Sequence, residues 1–167
     1  MNLNDIPDDE LVVLDANIIL YATQKLSPQC ERLLFRCANE EVKGILPSHI
    51  LAEIMHQLMI AEARDNDWIQ GPNPAKQMIK KPQIVKRLFR YEEILRDLLA
   101  IDLQIEPLRS EDFLTAMPMQ NRFGLLTNDA LLVAISQRLR TKSIVSADKI
   151  FRHIKGFLVY APDDLVK

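Results

Sequence analysis

Short apolar runs alternate along this chain with longer segments in which apolar residues recur every three or four positions. The runs at 11–14, 44–46, 143–146 and 157–160 are rich in Val, Ile and Leu and stop at Asp, Pro or small residues, the pattern of strands buried on both faces. A fifth candidate lies at 103–108, where Pro107 places the end of the run near a sheet edge. Helical spacing marks 28–41, 48–64, 83–100, 110–117 and 127–140. Strand and helix therefore take turns. This predicts parallel βαβ units in an α/β fold: a three-layer α/β/α sandwich around a mostly parallel central sheet of four to five strands. Ser48, Ser110, Thr127 and Ser146 sit where N-caps would stand.

Against that framework the acidic residues stand out by position. Asp15 closes the run at 11–14, and Asp148 follows the run at 143–146 after a single Ala. Asp129 opens the helical stretch at 127–140, and Glu53 lies inside the one at 48–64. Taken singly, Asp129 and Asp148 are ordinary first-turn acids at the positive end of a helix dipole, and Glu53 is a solvent-facing helix residue. Asp15 is harder to dismiss, because a carboxylate ending a buried run is a poorly solvated anion. Parallel strands bring their carboxyl ends to one edge, where open α/β sheets bind ligands. Four acids gathered there imply a shared positive charge, and an all-oxygen donor set points to a hard divalent cation suited to phosphate chemistry.

Composition narrows the alternatives. The 167 residues, 48% of them hydrophobic, suit a single compact domain over 1–167 with its core at about 11–162. A formal net charge of −2 excludes general attraction to polyanions, so any phosphate polymer must be held by a local patch. The segment 65–83 holds Trp68, Gly71, Pro72, Pro74 and Pro82 and reads as a loop insertion. An apolar stripe at Ile84, Leu88, Tyr91, Leu95 and Leu98 is read as core or dimer surface along one helix. Cys30 and Cys37 fall two helical turns apart and read as buried free thiols. The acidic N-terminus lacks the character of a signal peptide and no apolar run reaches membrane-spanning length, which predicts a cytoplasmic protein with no membrane partner.

Four segments in order carry a family resemblance: Val12 through Ala22 with Asp15, Pro47 through Ile54 with Glu53, Leu125 through Ala134 with Asp129, and Ile144 through Phe151 with Asp148. With the closing Phe157 to Pro162 they resemble the motifs of PIN domains over nearly the whole chain. The resemblance implies a PIN-like fold and a nuclease that uses Mg²⁺ or Mn²⁺, as one ion or two, to hydrolyse RNA phosphodiester bonds. Asp15, Glu53, Asp129 and Asp148 would be its metal-binding and catalytic acids, with Asn17 and Ser146 as polar support. Many prokaryotic members are VapC-type endoribonuclease toxins of type II toxin-antitoxin systems, inhibited by a cognate antitoxin and often dimeric. An antitoxin and a second copy of the chain are accordingly the candidate protein partners. The stretch after Arg64 is longer than in compact VapC relatives. For the RNA substrate the densest basic group is Lys80, Lys81, Lys86, Arg87 and Arg90, and Arg138, Arg140 and Lys142 form a second at a helix end. A housekeeping PIN nuclease without antitoxin and a non-catalytic RNA- or protein-binding module are the alternatives. A dehalogenase-type phosphatase would need Asp where Asn17 stands, and a receiver domain would need its acidic pair beside the strands, away from Asp5, Asp8 and Asp9.

Overall fold

The structure, a computed structural model, describes residues 1–101 and 103–165; residues 102, 166 and 167 of the expected domain lie outside the described residues. Its strands are β1 (Leu11–Leu14), β2 (Lys43–Pro47), β3 (Gln104–Glu106), β4 (Ser143–Val145) and β5 (Leu158–Tyr160). All pair in parallel, in the order β3-β2-β1-β4-β5. Val12, Val13 and Leu14 of the middle strand are fully buried, because helices cover both faces of the sheet and leave no wet side for alternate residues. Gly44 in β2 is required by crowding: a Cβ there would lie 2.5 Å from the Leu103 side chain and 3.0 Å from the Cys37 sulfur.

The helices are α1 (Ala16–Thr23), α2 (Pro28–Ala38), α3 (Ser48–Asp65), α4 (Pro74–Lys80), α5 (Pro82–Val85), α6 (Arg90–Ala100), α7 (Ser110–Phe123) and α8 (Thr127–Arg138). A 3-10 turn at Lys149–His153 follows β4. Among the described residues no helix is long and apolar enough to cross a membrane. Cys30 and Cys37 are both buried and unbridged, and burial pushes each thiol up to about 11.

Several expectations are corrected. The segment expected to be a loop at 65–83 contains α4, and with α5 it forms a lobe with its own apolar cluster of Ile60, Ala63, Ile69, Met78, Ile84 and Leu88. The helix expected over 83–100 is broken, with α5 ending at Val85 and α6 starting at Arg90. Its cause is Glu62 on α3, 1% exposed, whose carboxylate accepts hydrogen bonds from the backbone N–H groups of Phe89, Arg90 and Tyr91 at 2.9 to 3.1 Å. A side chain from another helix thus caps α6 and satisfies donors that would otherwise continue the turn. The apolar stripe divides accordingly: Ile84 and Leu88 join the lobe, while Leu98 joins the main core.

The helix expected to stop before Pro118 runs on to Phe123. Pro118 leaves the Leu114 carbonyl without its helical donor, and Leu114 is 65% exposed, so the missing bond falls on the solvent side of the helix. The hydroxyl N-caps are displaced by one residue: Pro47, Arg109 and Leu126 hold the cap positions of α3, α7 and α8. The turn after β4 is capped by Asp148 itself. Arg138, read as one of an exposed basic group, is turned inward. Its guanidinium donates to Glu106 Oε1 at 2.6 Å and to Asp112 Oδ1 at 2.7 Å, tying β3 and α7 to the end of α8.

Burial pushes the Glu62 carboxyl up, but the three backbone donors outweigh it and hold it below the ordinary value. A depressed acid adds stability above its unfolded value of 4.5 and loses it as the pH falls through the folded value. Glu62→Ala is therefore expected to lower the unfolding free energy at pH 7 by about 2 kcal/mol, the worth of charge-assisted bonds plus a helix cap. Urea denaturation at pH 7 and pH 3.5 checks this, with a smaller difference expected at the lower pH.

Candidate functional site

Chain order reverses between β1 and β4: the strands from β1 to β3 run to one side of the sheet, and β4 and β5 to the other. Such a reversal opens a crevice at the carboxyl ends of the two strands. The register pairs Leu14 with Val145, which sets Asp15 and Ser146 side by side just beyond the strand ends. The Asp15 N–H donates to the Val145 carbonyl at 3.0 Å, so the sheet itself fixes the backbone beneath the carboxylate.

Asp15 is 8% exposed and heavily hydrogen-bonded. Its Oδ1 accepts from the Ala16 N–H at 2.7 Å, and its Oδ2 from Ser146 Oγ at 2.5 Å and Asn17 Nδ2 at 2.7 Å. Asn17 Oδ1 in turn accepts from the Ala147 N–H at 3.1 Å, and Ser146 Oγ from the Asp148 N–H at 3.0 Å. One network therefore links Asp15, Asn17, Ser146 and Asp148. Burial holds the Asp15 carboxyl above its ordinary value, and the charge of Glu53 adds to this; donation from Ser146, Ala16 and Asn17 offsets part of it.

The other two acids come from helices. Asp129 lies in the first turn of α8, half-buried, and its carboxyl is pushed up to about 6 by burial and then by the charges of Asp15 and Asp148. Glu53 projects from α3, and its Oε2 accepts from Asn128 Nδ2 at 2.6 Å. Asp15, Glu53, Asp129 and Asp148 line one open cavity of about 590 Å³, together with Asn17, Gln57, Thr127 and Asn128. Helical spacing would have found Gln57, which is four residues from Glu53 on the same face of α3. No periodicity singles out Asn128, whose only signal is its place beside Asp129.

Every donor lining this cavity that carries a full charge is a carboxylate, which suits a hard cation. Among the described residues no group of three or more His, Cys, Asp or Glu side chains is drawn together tightly enough to cage an ion directly. Each of three acids also holds a hydrogen bond from a neighbouring donor: Asp15 from Ser146 and Asn17, Glu53 from Asn128, and Asp148 from the Ile150 N–H. The residues fit an ion that keeps much of its water and needs only one or two carboxylates, which is the habit of Mg²⁺.

The basic residues stand apart from the cavity, on and beside the lobe. Lys80, Lys81 and Lys86 are exposed and make no ion pair among the described residues. Arg87 lies over the Trp68 ring at 4.3 Å, and Arg90 pairs with Asp65. The segment 68–91 holds six Lys and Arg and no acid, a net charge of +6, which leaves the remainder of the chain at −2 − 6 = −8. The α3 helix connects the two regions, since Glu53 and Gln57 line the acidic cavity while His56 and Met59 face the lobe.

Comparison with known proteins gives concordant findings. The family model for the PIN domain matches residues 12–156. Among solved structures, the chain superposes on one in the VapBC2 crystal structure from Rickettsia felis bound to a DNA fragment from their promoter. The TM-score is 0.61 at 16% identity, covering 92% of this chain and 99% of that one. It also superposes on a chain of a toxin-antitoxin complex from Klebsiella pneumoniae with a TM-score of 0.57 at 14% identity, covering 88% and 95% of the two chains. These likenesses are of fold. No curated protein gives a significant match.

Proposed function

The chain belongs to the PIN domain family, and from that premise we propose that it is a divalent-metal-dependent ribonuclease, the toxin of a type II toxin-antitoxin pair, acting as a single domain. The observation that carries the reading is the meeting of Asp15, Glu53, Asp129 and Asp148, contributed by separate elements, around one cavity at the point where strand order reverses. Mg²⁺ or Mn²⁺ held there would stabilise charge on the phosphate and supply an acidified water as nucleophile. The protein's part is to keep the acids in place. Asp15 is fixed by three hydrogen bonds to its carboxylate and one from its backbone. Asn17 and Ser146 hold it and carry that order to the turn bearing Asp148.

The basic lobe is the counterpart for substrate. A cavity lined by carboxylates repels RNA, whereas an adjoining segment of charge +6 attracts it. Lys80, Lys81 and Lys86 are free to meet phosphates, while Arg87 and Arg90 brace the lobe through Trp68 and Asp65. Replacing Lys80, Lys81 and Lys86 together with Ala is expected to raise KM at 100 mM salt by roughly tenfold or more and to flatten the salt dependence of binding by about three phosphate contacts. The kcat should hold. Titrating labelled RNA across a salt series measures both.

The direct test is cleavage. Purified protein is incubated with labelled structured and unstructured RNAs in Mn²⁺ or in EDTA, beside Asp15→Asn. Cleavage that needs the ion and disappears in the variant is expected; cleavage that survives EDTA contradicts the proposal. The toxin reading draws on the fold shared with chains of the two toxin-antitoxin complexes. It predicts that expression arrests growth and that the product of an adjacent small gene relieves the arrest. The housekeeping alternative predicts no such relief.

A further inference from the structure

We infer that Asn128 is a positioning residue for the acidic site, holding Glu53 through its side chain while His49 holds its backbone. The inference rests on the metal-site reading above and concerns how the two banks of that site are joined. Glu53 and His49 are four residues apart on α3, hence on one face of that helix. Both reach Asn128 in the first turn of α8: Asn128 Nδ2 donates to Glu53 Oε2 at 2.6 Å, and His49 Nε2 lies 3.3 Å from the Asn128 carbonyl oxygen.

The chemistry of the two contacts is directional. A carbonyl only accepts, so the His49 contact requires the proton on Nε2, and in the neutral ring this leaves Nδ1 as a bare acceptor. Nδ1 is indeed buried and without a hydrogen-bond partner. An unsatisfied buried nitrogen is a penalty that a freely rotating surface imidazole would avoid by turning to water. Burial also pushes the imidazole down, towards the neutral form that this single-donor arrangement uses. The ring thus stays turned to the Asn128 carbonyl with its second nitrogen kept from water. Asn128 is in this way gripped twice by one helix, and it is the residue immediately before Asp129. The grip sets the separation between Glu53 and Asp129 across the cavity and aims one Glu53 oxygen away from solvent disorder, leaving Oε1 free. Since Asn128 carries no charge, it does this without adding a fifth carboxylate to the cluster.

A residue acting through Glu53 has a signature that a merely structural residue lacks. Mn²⁺ binding to the full chain, followed by electron paramagnetic resonance without RNA, is compared for wild type, Asn128→Ala, Glu53→Gln and the double variant. Asn128→Ala is expected to weaken Mn²⁺ binding by about tenfold, the lower end for an outer partner of a metal ligand. In the Glu53→Gln background the same change should weaken it by less than about twofold, because the carboxylate being positioned is gone. Asn128→Gln, which keeps an amide donor at an exposed position, should recover most of the loss. Equal losses in the two backgrounds, or no loss in either, overturn the positioning role while leaving the metal site standing. Wild-type protein that binds no Mn²⁺ overturns the metal site and this role together.

Discussion

Asp129→Asn is expected to abolish RNA cleavage and, in the same protein, to raise the melting temperature of the metal-free form at pH 7.5. The first effect follows from removing a carboxylate from the cavity wall: on the proposed metal-site reading Asp129 is a ligand, and since loss of mere outer partners weakens metal sites by about 10- to 100-fold, its loss should reduce Mn²⁺-dependent cleavage by at least about 100-fold. The second follows from the sign of its titration. Burial and the neighbouring charges of Asp15 and Asp148 push the Asp129 carboxyl up to about 6 from 3.8. An acid whose folded value is raised favours the folded state fully only below the unfolded value, and that contribution is lost as the pH rises through the folded one. At pH 7.5 Asp129 is a charged group among like charges, and Asn removes the repulsion while keeping the shape. A gain of about 1 kcal/mol, or roughly 2–4 °C, is expected after allowance for solvent screening. At pH 5, where the wild-type carboxyl is mostly protonated, the gain should shrink. Thermal melts in EDTA at the two pH values, run beside the cleavage assay, check both effects. Unchanged melting at pH 7.5 would contradict the crowding of charge at this site.

The largest loss of stability is expected from Arg138→Ala. Glu106 and Asp112 are 5% and 2% exposed, and Arg138 is their main counter-charge. Burial alone would push the Asp112 carboxyl up; bonding to Arg138 and to the Arg109 N–H overrides it and holds the group low. Removing the guanidinium leaves two buried carboxylates facing each other, and breaking such a pair from one side costs about 3–5 kcal/mol. Urea denaturation at pH 7 should register this as a lower midpoint. As a depressed acid, Asp112 lends its stability above its unfolded value of 3.8 and withdraws it as the pH falls through the folded one, so the deficit should narrow in acid. Arg138 ends α8 while Asp129 begins it, so cleavage per folded molecule at low temperature should be little changed. A fall in cleavage matching that of Asp129→Asn would instead place Arg138 at the chemistry.

Those two variants also mark what could be read from residues in a line and what could not. The strands were legible because a sheet covered on both faces writes itself as continuous apolar runs, and β1 and β4 are such runs. The approach of Asp15 and Asp148 was legible because parallel strands put their carboxyl ends at one edge, whereas Glu53 and Asp129 sit on helices and reach the same cavity without any strand-end signal. What escaped were contacts made by side chains from distant elements. Glu62 caps α6 from 27 residues upstream, and no periodicity within 83–100 announces that break. Arg138 looked exposed because its partners, Glu106 and Asp112, lie 32 and 26 residues away. The lobe's helix was hidden by the Gly and Pro that flank it, which are turn formers locally but here frame a small cluster around Met78. Asn128 escaped for the same reason as Arg138, since its partner Glu53 is 75 residues distant.

The most direct measurement is a crystal of the protein soaked in Mn²⁺, with anomalous scattering recorded at the manganese edge. One or two peaks in the cavity bounded by Asp15, Glu53, Asp129 and Asp148, lost on Asp15→Asn, are predicted. Strong peaks only elsewhere on the surface, or an undiminished peak in the Asp15→Asn crystal, would contradict a metal site built from these carboxylates.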